Sequence, residues 1–188
     1  MADDFSQPEA PEKLSGKLLI ADPSLREGIF HKSVILLTGH SAKEGAFGLI
    51  LNHPTGKVVG DFLNGVEFES LKNIPVHAGG PVLHEQMTFS SFWWSKKLGL
   101  RWALRISAEE AAAHARRPGR IVRSFLGYSG WGEGQLESEI HRNSWFVANP
   151  QPDILGQAHD NSLWNTLLSS MSPLHRILAA APQNPLLN

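Results

Sequence analysis

The stretch Ser33-Val34-Ile35-Leu36-Leu37-Thr38, followed after a short loop by Ala46-Phe47-Gly48-Leu49-Ile50-Leu51, decides the fold class. Each run is almost continuously apolar and of strand length, as expected for a strand buried on both faces. The loop from His40 to Gly45 contains glycine, so the two runs read as a hairpin. Gly48 inside the second run predicts a bulge or a close backbone approach. A buried hairpin in mid-chain makes a sheet the organising element.

Working outward, Lys17–Ala21 is a short strand ending at the Asp22-Pro23 turn, and Asn52-His53-Pro54-Thr55-Gly56 breaks the chain after the hairpin. A weak helical stretch near Gly60–Leu63 precedes a strand at Pro75–Ala78, which runs into Gly79-Gly80-Pro81. Met87–Trp94 and Leu100–Ile106 read as strands. Ser107-Ala108-Glu109-Glu110 is a capping box for a helix that Pro118-Gly119 stops. Arg120–Tyr128 is a strand, Gly132–Arg142 a helix and Trp145–Ala148 a strand. The last helix places Leu163, Trp164, Leu167, Leu168 and Met171 on one face, with Asp160 or Ser162 as cap and Pro173 as stop. Strands and helices mix without strict βαβ alternation, which predicts an α+β fold. Residues 1–13 read as a flexible tail and 14–188 as a single domain.

The composition is that of a globular chain: 188 residues, 41% hydrophobic and 19% charged. The chain has no cysteine, so disulfides, thiolate catalysis and cysteine-based zinc sites are excluded. The acidic Met1-Ala2-Asp3-Asp4 start is no secretory signal, and no aliphatic run approaches a membrane span. A cytoplasmic protein without a membrane role is expected. Residues 96–123 carry eight Lys and Arg against Glu109 and Glu110, a net of +6. Such an excess fits either a solvated face or an anion-binding strip.

Catalytic templates fail one by one. Gly127-Tyr128-Ser129-Gly130-Trp131 resembles a nucleophile elbow, but the required second glycine is Trp131, so Ser129 reads as a turn residue. His84-Glu85 begins a zincin phrase whose second histidine would be Thr88. His40 and Asn52 fall at opposite ends of the hairpin, about 20 Å apart at the usual strand rise. That leaves Asn52 beside His31, Ser33 and His53 as a backbone cap. Glu133 with Glu137, and Gln135 with Glu139, share helix faces as solvated pairs. Gly130, Gly132 and Gly134 alternate before a helix as an anion-binding start would. Helix entry accounts for the same spacing, with Gly132 as N-cap, Gln135 at N3 and Trp131 stapled onto Leu136. Neither a catalytic residue, a metal site nor a cofactor is expected.

One ordered series remains: Gly16-Lys-Leu-Leu-Ile-Ala-Asp-Pro23, Phe30-His-Lys-Ser-Val-Ile35, His40, Gly45-Ala-Phe-Gly-Leu-Ile-Leu-Asn52 and Gly79-Gly-Pro81. It continues with Gly127-Tyr-Ser-Gly-Trp-Gly-Glu-Gly-Gln-Leu-Glu137, Glu139, Trp145, Trp164 and Pro182-x-x-Pro185-x-x-Asn188. This series resembles the AlgH/YqgE family of small bacterial proteins. The resemblance implies an α+β fold with a bifurcated sheet, one part closed like a small barrel, surrounded by helices. It carries a transcriptional-regulator label and no agreed reaction. The chain departs from the family where a Leu-His pair usually follows Gly-Gly-Pro: Ser90 and Ser91 stand there, and His84 is offset. A mechanism needing that histidine does not transfer.

The expected function is a non-enzymatic ligand-binding or regulatory module with a small molecule or protein as partner. Its surface would join Asn52, Gly79, Gly80, Trp131, Gln135 and Glu139. The alternatives are weak nucleic-acid binding through residues 96–123, without sequence specificity for want of a reader motif, and a hydrolase whose polar groups meet only in space. Oligomeric state stays open.

Overall fold

A computed structural model describes residues 13–26, 28–41 and 43–180. The proposed tail up to residue 12 and the closing proline motif lie outside the described residues. Nine strands and four α-helices follow in the order β1 (Leu18–Ala21), β2 (Val34–Ser41), β3 (Gly45–Ile50), β4 (Pro54–Val58), β5 (Pro75–Ala78), β6 (Val82–Ser95) and β7 (Gly99–Ile106). Then come α1 (Ala108–Ala115), β8 (Arg120–Trp131), α2 (Gln135–His141), β9 (Trp145–Ala148), α3 (Asn161–Met171) and α4 (Pro173–Ala180).

The hairpin is present as β2 and β3, antiparallel from Ile35↔Ile50 to Ser41↔Gly45. It sits inside a branch that runs β3-β2-β1-β9. Being flanked by strands and covered on its faces, Val34 to Leu37 are fully buried, which is why that run contains no polar residue.

The long strand β8 makes the sheet fork. Its first half lies between β6, antiparallel, and β5, parallel. Its last three residues leave these strands and pair with β3, Gly48↔Ser129 to Ala46↔Trp131. Gly127, with φ +67°, stands at the change of partner, in a backbone region that favours glycine. The mixed α+β sheet is therefore bifurcated and curled upon itself, as the resemblance implies.

Two cores fill the curl. The larger collects β1, β2, β3, Phe92, Phe125, Trp131 and the α3 residues Leu163, Trp164 and Leu168. Trp164 also donates its indole N–H to the carbonyl of Ala21, tying α3 to β1 at 2.8 Å. The smaller core gathers Val59, Leu71, Val76, Phe89, Ala111 and Val122 under α1. The capping box of α1 forms as its sequence requires, with Ser107 Oγ accepting from Glu110 N–H and the Glu110 carboxylate accepting from Ser107 N–H. Asp160 caps α3 by accepting from Ser162 N–H.

Four local expectations are corrected. Asn52–Gly56 is not only a break, because β4 begins at Pro54 and pairs with β5. Ser129 is a buried strand residue, not a turn residue. The strand pairing with β3 carries β8 through to Trp131, beyond Tyr128, so α2 starts only at Gln135. Its N-cap is Gly134, at φ +68°, and not Gly132. Pro173 does not simply stop the chain: α3 ends at Met171, and Pro173 is the first residue of α4. No helix among the described residues is long and apolar enough to cross a membrane.

A buried histidine packed against Phe125 of the larger core sets an acid sensitivity. His77 on β5 is buried and its Nε2–H donates to the carbonyl of His159 at 3.1 Å. Burial, with the nearby Arg123 cation and His159 (when protonated) adding to it, lowers its pKa to about 4 from 6.5. The unfolded chain thus binds a proton between pH 6.5 and about 4 that the folded one refuses, so stability present above 6.5 is lost as pH falls across this window. At about 1.4 kcal/mol per pKa unit, the full loss is about 3 kcal/mol. Urea titrations at pH 7.5 and 4.5 are expected to show most of this difference, and His77→Gln to remove it. An equal pH slope in both proteins would refute the assignment.

Candidate functional site

The expected surface residues separate into two groups. Trp131, Gln135 and Glu139 meet, and they satisfy one another. The Glu139 carboxylate accepts the indole N–H of Trp131 at 2.9 Å and of Trp145 at 2.8 Å on one oxygen. Its other oxygen accepts from Gln135 Nε2 at 2.9 Å, and Gln135 Oε1 takes the backbone N–H of Gly132. The rings of Trp131, Trp145 and Phe30 pack edge-on or stacked at 5.6–6.3 Å. This is a closed clamp of α2 onto β8 and β9.

Asn52 sits at the other end of β3. Its Oδ1 accepts from Val34 N–H at 2.7 Å and its Nδ2 donates to the Lys32 carbonyl at 2.9 Å. The buried carboxamide is thus spent on the backbone, but across the hairpin at Lys32 and Val34, not on its own turn as the expected local cap would be. Gly79 and Gly80 lie against β8. A Cβ on Gly79 would stand 2.4 Å from the Gly127 carbonyl oxygen and 3.2 Å from Leu49, and one on Gly80 2.2 Å from the Tyr128 carbonyl carbon. Their missing side chains admit neighbouring backbone.

An unforeseen pair joins the hairpin end to α2. His40 Nδ1 accepts from Leu14 N–H at 3.4 Å, which places the ring proton on Nε2, and Nε2–H donates to Glu137 Oε1 at 2.6 Å. That hydrogen bond holds the Glu137 carboxyl below its ordinary pKa. Ninety-seven residues separate the partners, and no local spacing signals such a contact.

A substantial opening lies elsewhere, inside the curl between the two branches. It is a cleft of about 430 Å³ between β2 and β3 on one side and β6 and β7 on the other, floored by β8 at Gly127 and Tyr128. Its apolar wall consists of Phe47, Leu83 and Leu104, all unusually exposed for their type at 42, 49 and 37%. Its polar wall holds Thr38, Gln86, Thr88, Ser90 and Arg105. Arg105 lies over the Tyr128 ring, 5.7 Å from its centroid, and Phe47 packs on the same ring at 6.0 Å.

Backbone irregularities converge on this cleft. Between Leu37↔Gly48 and Gly39↔Phe47 the extra residue is Thr38. Between Phe89↔Ile106 and Ser90↔Leu104 it is Arg105. Between Val82↔Tyr128 and Met87↔Leu126, residues 83–86 stand against Gly127 alone. Of these inserted residues, Thr38, Arg105, Leu83 and Gln86 all line the cleft. Leu83 and Arg105 also hold positive φ, 51° and 52°, a conformation that costs non-glycine residues of order 1–3 kcal/mol. A bulge re-aims a side chain out of strict alternation. Sequence reading had only Gly48 as a sign of irregularity here, because a bulge leaves no period of its own.

The Ser90-Ser91 departure falls at this place. Ser90 faces the cleft, while Ser91, next along the strand, is buried with its hydroxyl unpartnered among the described residues. Three cations of the basic segment are engaged within the fold. Arg105 is drawn to the cleft, Arg120 stacks on Trp93 at 4.0 Å and Arg123 is largely buried on β8. Among the described residues no three His, Asp or Glu side chains group as metal ligands would.

The AlgH-like family model matches residues 18–175, covering both branches and the cleft. The chain belongs to the AlgH-like family. Full-length relatives agree with this. A UPF0301 protein of Bacteroides thetaiotaomicron is 30% identical over 92% of this chain and 90% of its own length. A UPF0301 protein of Ruegeria pomeroyi is 35% identical over 89% and 97%. Among AlgH-like structures, the solution structure of AlgH from Pseudomonas aeruginosa superposes with a TM-score of 0.63 at 25% identity, over 94% of this chain and 98% of that one. The crystal structure of protein DIP2367 from Corynebacterium diphtheriae, at 22% identity, gives 0.67 over 93% and 95% and shares the fold.

Proposed function

We propose that this AlgH-like protein is a non-enzymatic, cytoplasmic module that binds a small organic molecule in the cleft between the two branches of its sheet. The observation that carries the proposal is the convergence of three register shifts on one opening. Regular pairing is interrupted there three times, at an energetic cost, and four of the inserted side chains line the opening. Folding alone gains nothing evident from this.

The cleft's size is within the roughly 300–1,000 Å³ of small-molecule sites, and its mixture of exposed apolar groups with a few polar ones is typical of them. Among its described lining residues there is no histidine and no carboxylate, so no acid–base pair stands beside Ser90. That favours binding over hydrolysis. Gly79 and Gly80 serve as its backing, by letting β8 approach. Asn52, Trp131, Gln135 and Glu139 hold the frame.

Tyr128 is the sole tyrosine of the chain and floors the cleft, so biosynthetic 3-fluorotyrosine gives one fluorine resonance at the site. A metabolite library screened by that resonance is expected to return saturable shifts. Leu104→Trp, which fills the mouth, should weaken every hit by about tenfold or more. Hits that bind without moving the resonance, or that ignore Leu104→Trp, would place the site elsewhere.

A further inference from the structure

We infer that the ligand of this cleft is a flat, conjugated monocarboxylate, its carboxylate on Arg105 and its ring system against Tyr128 and Phe47; the inference rests on the cleft being the binding site.

Arg105 is the one charged side chain among the described lining residues. No acidic partner for it exists among the described residues, since the ion pairs there are His40 with Glu137 and Lys72 with Glu69. Its single charge matches a carboxylate better than a phosphate dianion. The guanidinium fork presents two parallel N–H donors, the geometry a carboxylate accepts. The guanidinium lies over Tyr128 at 5.7 Å, within cation–π reach of the ring, and the bulge at φ 52° sets where the side chain leaves the strand.

The body of the ligand follows from the walls. Phe47 and Tyr128 meet at 47° and present two aromatic faces, while Leu83 and Leu104 supply aliphatic edges. A thin apolar plate covers these surfaces with fewer fixed rotors than a flexible chain would need.

Fluorotyrosine-labelled protein titrated with naphthalene-2-carboxylate, 2-naphthamide, decahydronaphthalene-2-carboxylate and inorganic phosphate tests each part. Naphthalene-2-carboxylate is expected to shift the Tyr128 resonance saturably and to bind at least about tenfold more tightly than the uncharged amide, the usual scale of a charge-assisted pair. The saturated analogue should bind several-fold more weakly, and phosphate alone should give no shift. Arg105→Gln and Arg105→Asn, the latter chosen because asparagine tolerates positive φ, should melt as wild type does and bind acid and amide alike. Equal affinity for acid and amide in the wild-type protein would overturn the carboxylate, and equal affinity for flat and saturated rings would overturn the plate, with the cleft itself unharmed in either case. An acid preference that survives in a folded Arg105 variant would also refute the assignment. Silence of the resonance toward all these probes and toward the whole library would remove the cleft as the site, and this inference with it.

Discussion

Gly80→Ala is expected to leave almost no folded protein. The added Cβ would lie 2.2 Å from the Tyr128 carbonyl carbon and 2.3 Å from the Ser129 nitrogen. Both contacts are with backbone, so no side-chain rotation relieves them. The backbone at Gly80 also has φ +152°, which L residues rarely adopt, at a cost of about 1–3 kcal/mol. Relief would require the segment after β5 to move off β8. Ser129 Oγ donates to the Gly79 carbonyl, and Gly79 N–H to Leu126, so that move breaks the joint where the sheet forks. Against a total stability of about 5–15 kcal/mol, the combined loss is of the same order as the whole. Far-UV circular dichroism and a urea titration of the soluble fraction decide the matter. A variant melting within a few degrees of wild type would show that the close approach is not there.

Trp131→Ala is expected to destabilise the protein by about 3–5 kcal/mol, the usual scale for truncating a buried aromatic. Trp131 is 4% exposed and packs with Phe30 and Trp145. Truncation opens a void inside that box and strips Glu139 of one of its three donors. Trp131→Phe keeps most of the packing but not the N–H, and should cost about 1–3 kcal/mol, mostly for the weakened hydrogen bonding of a partly buried carboxylate. Urea denaturation of both variants, read as midpoints at constant slope, gives the two values. Wild-type stability for Trp131→Ala would mean that the Gly-Tyr-Ser-Gly-Trp segment is not structural.

How far these residues could be read beforehand depended on the range of the interaction. The buried hairpin, the α1 capping box, the α3 apolar face (except Met171, which is exposed) and the strand at Pro75–Ala78 are local patterns, and they stand where their sequence places them. The hairpin register put Asn52 beside the chain at residues 31–33, but its bonds to Lys32 and Val34 replace the local cap expected from the Asn-His-Pro turn. The start of α2 was not legible, because glycine spacing permits two N-caps, and only the pairing of β8 with β3 selects Gly134. The His40–Glu137 bond depends on tertiary proximity that no spacing encodes. The cleft was the least legible element. Its residues come from five strands, and the devices that assemble it are departures from alternation. Of the residues expected to form the site, Gly79 and Gly80 lie behind the cleft, while the others are engaged with their own backbone or one another.

The bulges have an implication for how such a cleft diversifies. Arg105 and Thr38 are each supernumerary in their ladders, with the neighbours on either side already in register with consecutive partners. Deleting either residue would therefore make the pairing more regular, and would not push every later side chain onto the wrong face, as a deletion inside a regular strand does. Chain length at these two points is uncoupled from the fold but coupled to what the cleft displays. Lineages carrying this scaffold have a route to an altered cleft lining through gain or loss of single residues, and comparisons that score only substitutions would pass over it.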